Sequence, residues 1–202
     1  NTTYLISGAY TQQASMLQGP DYGLDRVNFR SNVETEMTDR FKVNLLAAYS
    51  RNTIKDHAYW TEWIIEQATR MPSIYPIVNP DGSYNYPSGS NSNSLARLNE
   101  GGLRSSANDD LSGVVNAEFR IIDGLKLKGM LGSQLYYNRL KENRSAIAGS
   151  GDLENRSTNG SQKIQNITSN LLLNYDKSWG AHTLSALAGF SYEGGTDNRF
   201  ET

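Results

Sequence analysis

Seven segments of this chain alternate apolar and polar side chains at period two, which commits them to strands with two chemically different faces. The clearest runs from Asp25 to Met37. Val27, Phe29, Val33 and Met37 fall on one side, while Arg26, Asn28, Arg30, Asn32, Glu34 and Glu36 fall on the other. Six further segments fit the same template. Their apolar faces carry Tyr4, Ile6, Gly8 and Tyr10; Phe41, Val43, Leu45, Ala47 and Tyr49; Leu111, Gly113, Val115, Ala117, Phe119 and Ile121; Leu125, Leu127, Leu131, Leu135 and Tyr137; Ile167, Leu171, Leu173 and Tyr175; and Leu184, Ala186, Ala188, Phe190 and Tyr192. Such a sheet is either one half of a soluble sandwich, with its apolar face on a second sheet, or the wall of a transmembrane barrel, with that face in lipid.

The connections discriminate. Strands two and three are joined by Thr38, Asp39 and Arg40, four and five by Asp123 and Gly124, and six and seven by a turn around Lys177, Trp179 and Gly180. The intervening connections are long: a Gly/Pro-containing loop near Gly19, Pro20 and Gly23, a loop over about residues 53–108, and a polar stretch around Gly149 to Gly160. An up-and-down meander then has every short turn at one end and every long loop at the other, the asymmetry of an antiparallel outer-membrane barrel. Aromatic residues agree with this. Tyr4, Phe41, Phe119, Tyr175 and Trp179 fall near the short turns, and Tyr10, Tyr49, Tyr137, Phe190 and Tyr192 toward the long loops, as two interfacial girdles would.

A mean hydropathy of −0.59 does not oppose this reading, because a barrel strand hides its apolar residues in alternation. The absence of a long apolar run bears only on transmembrane helices. A net charge of −2 offers no basic field for nucleic acid, and the absence of cysteine excludes disulfides and thiolate metal sites. Asn1, Thr2 and Thr3 lead straight into a strand without a signal peptide. Seven strands do not close an even-numbered ring, and Phe200, Glu201 and Thr202 lack a terminal aromatic. The expectation is an internal fragment of a larger barrel.

Two stretches carry a family resemblance. Tyr22-Gly-Leu-Asp-Arg-Val-Asn-Phe-Arg-Ser-Asn32, with Gln12, Gln18 and Gly19 before it, resembles a hairpin strand of TonB-dependent transporters of the SusC/RagA type. Ala68-Thr-Arg-Met-Pro-Ser-Ile-Tyr-Pro-Ile-Val-Asn-Pro-Asp-Gly-Ser-Tyr84 is similar to the long loop of that family, where a helix ends at a Met-Pro pair before an Asn-Pro-Asp-Gly turn. The resemblance implies an all-β up-and-down outer-membrane barrel of about 22 strands from Bacteroidetes, without a cofactor. It implies import of oligosaccharides or peptides with a SusD-like surface lipoprotein, driven through TonB. The plug domain and TonB box lie outside residues 1–202.

Site candidates come from the residues themselves. From Asp56 to Met71, Trp60, Trp63, Ile64, Gln67, Ala68 and Met71 follow helical spacing, with Asp56 as N-cap and Pro72 as terminator. Tyr59, Trp60 and Trp63, with Tyr75, Tyr84 and Tyr86, then form either a stacking surface for a ligand or lipoprotein, or the packing stripe that seats the helix. Arg26, Arg30, Glu34, Glu118 and Arg120 point into the lumen, as plug contacts or as solvated charge. Asn79-Pro80-Asp81-Gly82 reads as a turn with glycine in the left-handed region rather than a calcium loop, and Asn108, Asp109 and Asp110 as an acidic rim. The polar tract Ser88 to Ser94 reads as a loop tip, and no metal site is expected. His57 and His182 fall at opposite ends of the meander and no catalytic motif is present, so no enzyme is expected. The alternative to transport is a surface glycan-binding or adhesion β-sheet protein.

Overall fold

In a computed structural model, which describes residues 1–19, 22–59, 61–87, 93–147, 149–150 and 155–202, the chain forms one seven-stranded antiparallel sheet in sequence order. The strands are β1 (Thr2–Ala14), β2 (Gly23–Thr38), β3 (Phe41–His57), β4 (Gly102–Ile122), β5 (Leu125–Arg144), β6 (Arg156–Trp179) and β7 (His182–Glu201). Helices α1 (Thr61–Arg70) and α2 (Ser94–Glu100) lie in the loop between β3 and β4.

The register puts the apolar residues on one face. Val33, Leu45, Val115, Leu131 and Ser169 form one transverse row, and Phe29, Tyr49, Leu111, Leu135 and Gln165 another nearer the long loops. Among the described residues no second layer covers this face. Val27, Phe29, Leu45, Leu111, Val115, Leu131, Leu171 and Phe190 are all exposed, an apolar wall of the kind that the lipid-facing side of a barrel presents. At the short-turn end Phe41 and Phe119 meet edge to face at 6.3 Å, and Tyr175 lies 6.4 Å from Trp179. Gly124 (φ +83°) and Gly180 (φ +56°) take the left-handed conformations of the β4–β5 and β6–β7 turns.

Two features differ from the sequence expectation. The strands are longer: β3 continues to His57 and β4 begins at Gly102, so the long loop spans residues 58–101 rather than about 53–108. A tilted strand crosses the hydrocarbon in roughly 9–11 residues. The remainder of β3 to β7 on the long-loop side is longer than a crossing of the hydrocarbon needs, and there alternation is no longer demanded. Strict alternation also ends before two of the short turns, because Met37 and Ile121 sit at β-bulges and have no opposite number.

Replacing Leu131 by Arg should cost about 2–4 kcal/mol near the bilayer midplane, whereas Gln134→Arg on the opposite face should be close to neutral. Urea unfolding of the barrel in lipid vesicles distinguishes the two.

Candidate functional site

The buried part of the molecule is not the sheet but a cap over its long-loop end, built from Tyr59, Ile64, Ala96 and Ile147 with Trp63, Tyr84, Tyr86 and Leu98 packed against them. Helix α1 contributes Trp63 and Ile64 on one side. Its start is Thr61, not Asp56: Asp56 is still in β3 opposite Arg104, and its carboxylate accepts from the His57 amide at 2.8 Å. The strand holds Asp56 because its backbone is already committed to the β4 ladder.

Tyr59 and Trp63 stack at 5.9 Å with an interplanar angle of 24°. The Arg97 guanidinium lies 4.2 Å from the Trp63 ring centroid and 4.7 Å from that of Tyr59, and Arg144 lies 4.8 Å from Tyr59. Cations of the same chain thus occupy the ring faces a sugar would need, and Tyr59 is only 8% exposed. Of the other expected aromatics, Tyr84 and Tyr86 join this cluster, Tyr75 stands outside it at 44% exposure, and Trp60 lies outside the described residues. Burial, with Glu100 nearby, raises the Tyr86 phenol above its ordinary value, and its hydroxyl has no partner among the described residues.

Helix α2 and its cap are absent from the sequence expectation, which treats Ser88 to Ser94 as a loop tip; residues 88–92 lie outside the described residues. Asn93 is 1% exposed and is the N-cap. Its Oδ1 accepts from the Ala96 amide at 3.1 Å, while its Nδ2 donates to the carbonyls of Ile77 (2.7 Å) and Asn85 (3.0 Å). One side chain therefore joins the helix to the hairpin closed by the Val78–Tyr84 bridge. The only signal in the sequence was an asparagine ahead of Ser-Leu-Ala-Arg-Leu, a capping pattern too short to carry weight. Tyr22 adds the first long loop to the cap, donating to the Leu98 carbonyl at 2.9 Å and meeting His57 edge-on at 5.9 Å.

The hairpin tip is the turn read from Asn79 to Gly82. Gly82 (φ +86°) donates to the Asn79 carbonyl at 2.9 Å, and the Asp81 carboxylate accepts from both the hydroxyl and the amide of Ser83, which hold its carboxyl below the usual range. Asn108, Asp109 and Asp110 do not converge on a cation, because successive residues point to opposite faces. Asp109 binds Tyr49 (2.7 Å) and Arg139 (2.9 Å) on the apolar side, whereas Asp110 accepts from Gln134 and Asn108 from Tyr136 on the polar side.

The register places Arg26, Arg30, Glu34, Glu118 and Arg120 together on the polar face, with unequal freedom. Arg26 donates to Asn52 at 2.6 Å, and Glu118 is held by Lys126 (3.1 Å) and Lys128 (3.5 Å). The side chains of Arg30 and Arg120 have no hydrogen bond or ion pair among the described residues, Glu34 interacts electrostatically with Lys42, and Arg120 faces Lys126 across the ladder. The same face is not uniformly polar. Leu5, Leu46 and Val114 flank Arg30 in a recess of ≈ 340 Å³, and Leu187 is 69% exposed.

Changing Asn93 to Ala should destabilise the cap by about 1–3 kcal/mol through loss of the helix cap and two buried bonds. Hydrogen exchange should quicken at residues 77–100 and remain unchanged in β4 and β5.

No protein-family model matches the chain. Over 203 aligned residues it is 29% identical to "TonB-dependent receptor P3" of Formosa agariphila, covering 96% of this chain and 20% of that protein. Its fold matches a chain in "Structure of the RagAB peptide importer in the 'closed-closed' state" with a TM-score of 0.75 at 19% identity, over 98% of this chain and 24% of the other. The chain thus spans about a fifth to a quarter of the proteins it matches. In sequence and in fold the chain is thus similar to a stretch of the barrel wall of outer-membrane TonB-dependent receptors, as the resemblance read from its sequence implies.

Proposed function

We propose that the chain is part of an active transporter that imports oligosaccharides or peptides across the outer membrane together with a SusD-like lipoprotein, taking energy from TonB through a plug contributed by other parts of the protein. The observation that carries this reading is the mixed character of the polar face. Arg30 and Arg120, without a hydrogen bond or ion pair among the described residues, lie there beside exposed Leu5 and Leu46. A water-filled channel has no use for leucines on its wall, whereas a barrel whose lumen is filled by a folded plug does. The RagAB complex whose fold this chain matches is a peptide importer, which supports peptides at least as well as glycans.

Within the cap we assign Tyr59, Trp63, Tyr84 and Tyr86 to holding the loops together, and Tyr75, with Ile74 (81% exposed) and Ile77 (51%), to recognition of the ligand or the lipoprotein. A glycan-binding or adhesion protein without transport would need the same cap but neither a filled lumen nor an energy source.

Uptake of labelled peptides and oligosaccharides by cells carrying the intact gene, with and without TonB, tests the reading. Transport predicts accumulation that disappears with TonB, while an adhesin predicts surface binding indifferent to it. Tyr75→Ala should lower uptake or partner binding with the cap protected from protease, whereas Trp63→Ala should first expose the cap to cleavage. A double-mutant cycle between Arg30 and a plug carboxylate should show coupling of about 0.5–3 kcal/mol if the two are in contact.

A further inference from the structure

Charge on the lipid-facing side of the wall is concentrated at one level. From the Tyr49–Leu111–Leu135–Gln165 row to the Phe41–Phe119–Leu127–Leu173 row, this face of β3 to β6 carries no ionisable side chain except tyrosine. The next row toward the long loops holds Arg51, Asp109, Tyr137 and Lys163; the one above it holds Arg139; and the one above that holds Lys55 and Lys141 on either side of Ser105. Across β3 to β6 five cations and one carboxylate thus sit at and just beyond the aromatic girdle, and Asp25 of β2, beside Thr53 on the same face, accepts from the Tyr10 hydroxyl.

With side chains of one face about 7 Å apart along a strand and strands about 4.8 Å apart, the five lie within a patch of roughly 13 by 14 Å. Asp109 does not neutralise it. Its carboxylate accepts from Arg139 at 2.9 Å and lies 3.7 Å from Arg51, which fixes two guanidinium groups side by side and leaves other N–H groups of each free to bind. Lys55, Lys141 and Lys163 have no counter-ion among the described residues. Arg51, Lys163, Tyr49 and Tyr137 rim a recess of ≈ 600 Å³ whose floor includes Leu111 and Leu135, so a basic edge adjoins an apolar one at the depth where a lipid changes from acyl chain to headgroup.

Resting on the reading of this sheet as an outer-membrane wall, we infer that this rim is a binding site for the phosphate groups of a membrane lipid headgroup, with Arg51, Arg139 and Lys163 taking the phosphate and Leu111 and Leu135 the first acyl carbons. Each lysine or arginine at such a surface adds attraction to an anionic lipid, and the paired guanidinium groups suit a phosphate monoester better than a carboxylate of the protein could.

The test uses the full-length transporter in phosphatidylcholine nanodiscs, with diphosphoryl lipid A, its dephosphorylated form or inorganic phosphate added, and lipid retention read by native mass spectrometry. Diphosphoryl lipid A should be retained and the dephosphorylated form lost. The R51Q/R139Q/K163Q variant, folded to the same heat-modifiable species, should lose at least roughly tenfold in retention. Equal retention of the dephosphorylated lipid, or undiminished retention by the variant, would overturn the headgroup site. Competition by inorganic phosphate at equal concentration would overturn the membrane source of the ligand. A protein that does not enter nanodiscs at all would instead overturn the wall on which the site depends.

Discussion

The backbone ladder is the constraint on which everything else rests. In hydrocarbon an unpaired N–H or C=O costs several kcal/mol, so a chain that crosses with strands must hand every amide to a neighbour. β2 to β6 do so on both sides, in an antiparallel register broken only at Met37 and Ile121. Once that ladder is fixed, side chains sort by parity alone. The apolar set meets lipid, the polar set meets the lumen, and adjacent acidic residues such as Asp109 and Asp110 are sent to opposite environments whatever their affinity for a common cation.

The wall contributes almost no buried side chain, and the cap contributes nearly all of them. Within the cap, buried polar and charged groups take much of the role that aliphatic residues play in a soluble core. Asn93 and Arg97 are buried to 1% and 5% exposure and are surrounded by aromatic rings, backbone carbonyls and short hairpins. Such an arrangement fixes loop geometry by direction as well as by volume, since a hydrogen bond or a cation over a ring is satisfied in far fewer orientations than a methyl contact.

What could be read from the sequence follows the same division. Parity in the membrane zone was legible residue by residue on the lipid-facing side, because lipid imposes it on every strand, whereas Leu5, Leu46 and Leu187 on the other face follow no such rule. Beyond that zone the signal stops: residues 50–57 of β3 and 102–110 of β4 are strand without alternation, and they look like loop until the ladder is seen. The cap was half legible. The Trp63–Ile64 stripe has helical spacing and the Asn79–Gly82 turn has its own chemistry, but the start of α1 was decided by the reach of β3, and α2 by one asparagine whose three partners lie 3 to 16 residues away. Occupation of the Tyr59 and Trp63 faces by Arg97 and Arg144 depends on contacts between separate loops, which no local pattern encodes.

The upper halves of β3 to β6 have a further consequence. They are held to one another by main-chain bonds, which any residue but proline can supply, and they separate the cap from the bilayer by a collar whose integrity asks little of side-chain identity. Substitutions that reshape the cap for another ligand end at this collar, and the lipid-facing belt below it does not have to be re-solved each time. Specificity and membrane residence can therefore change at independent rates within a single continuous strand.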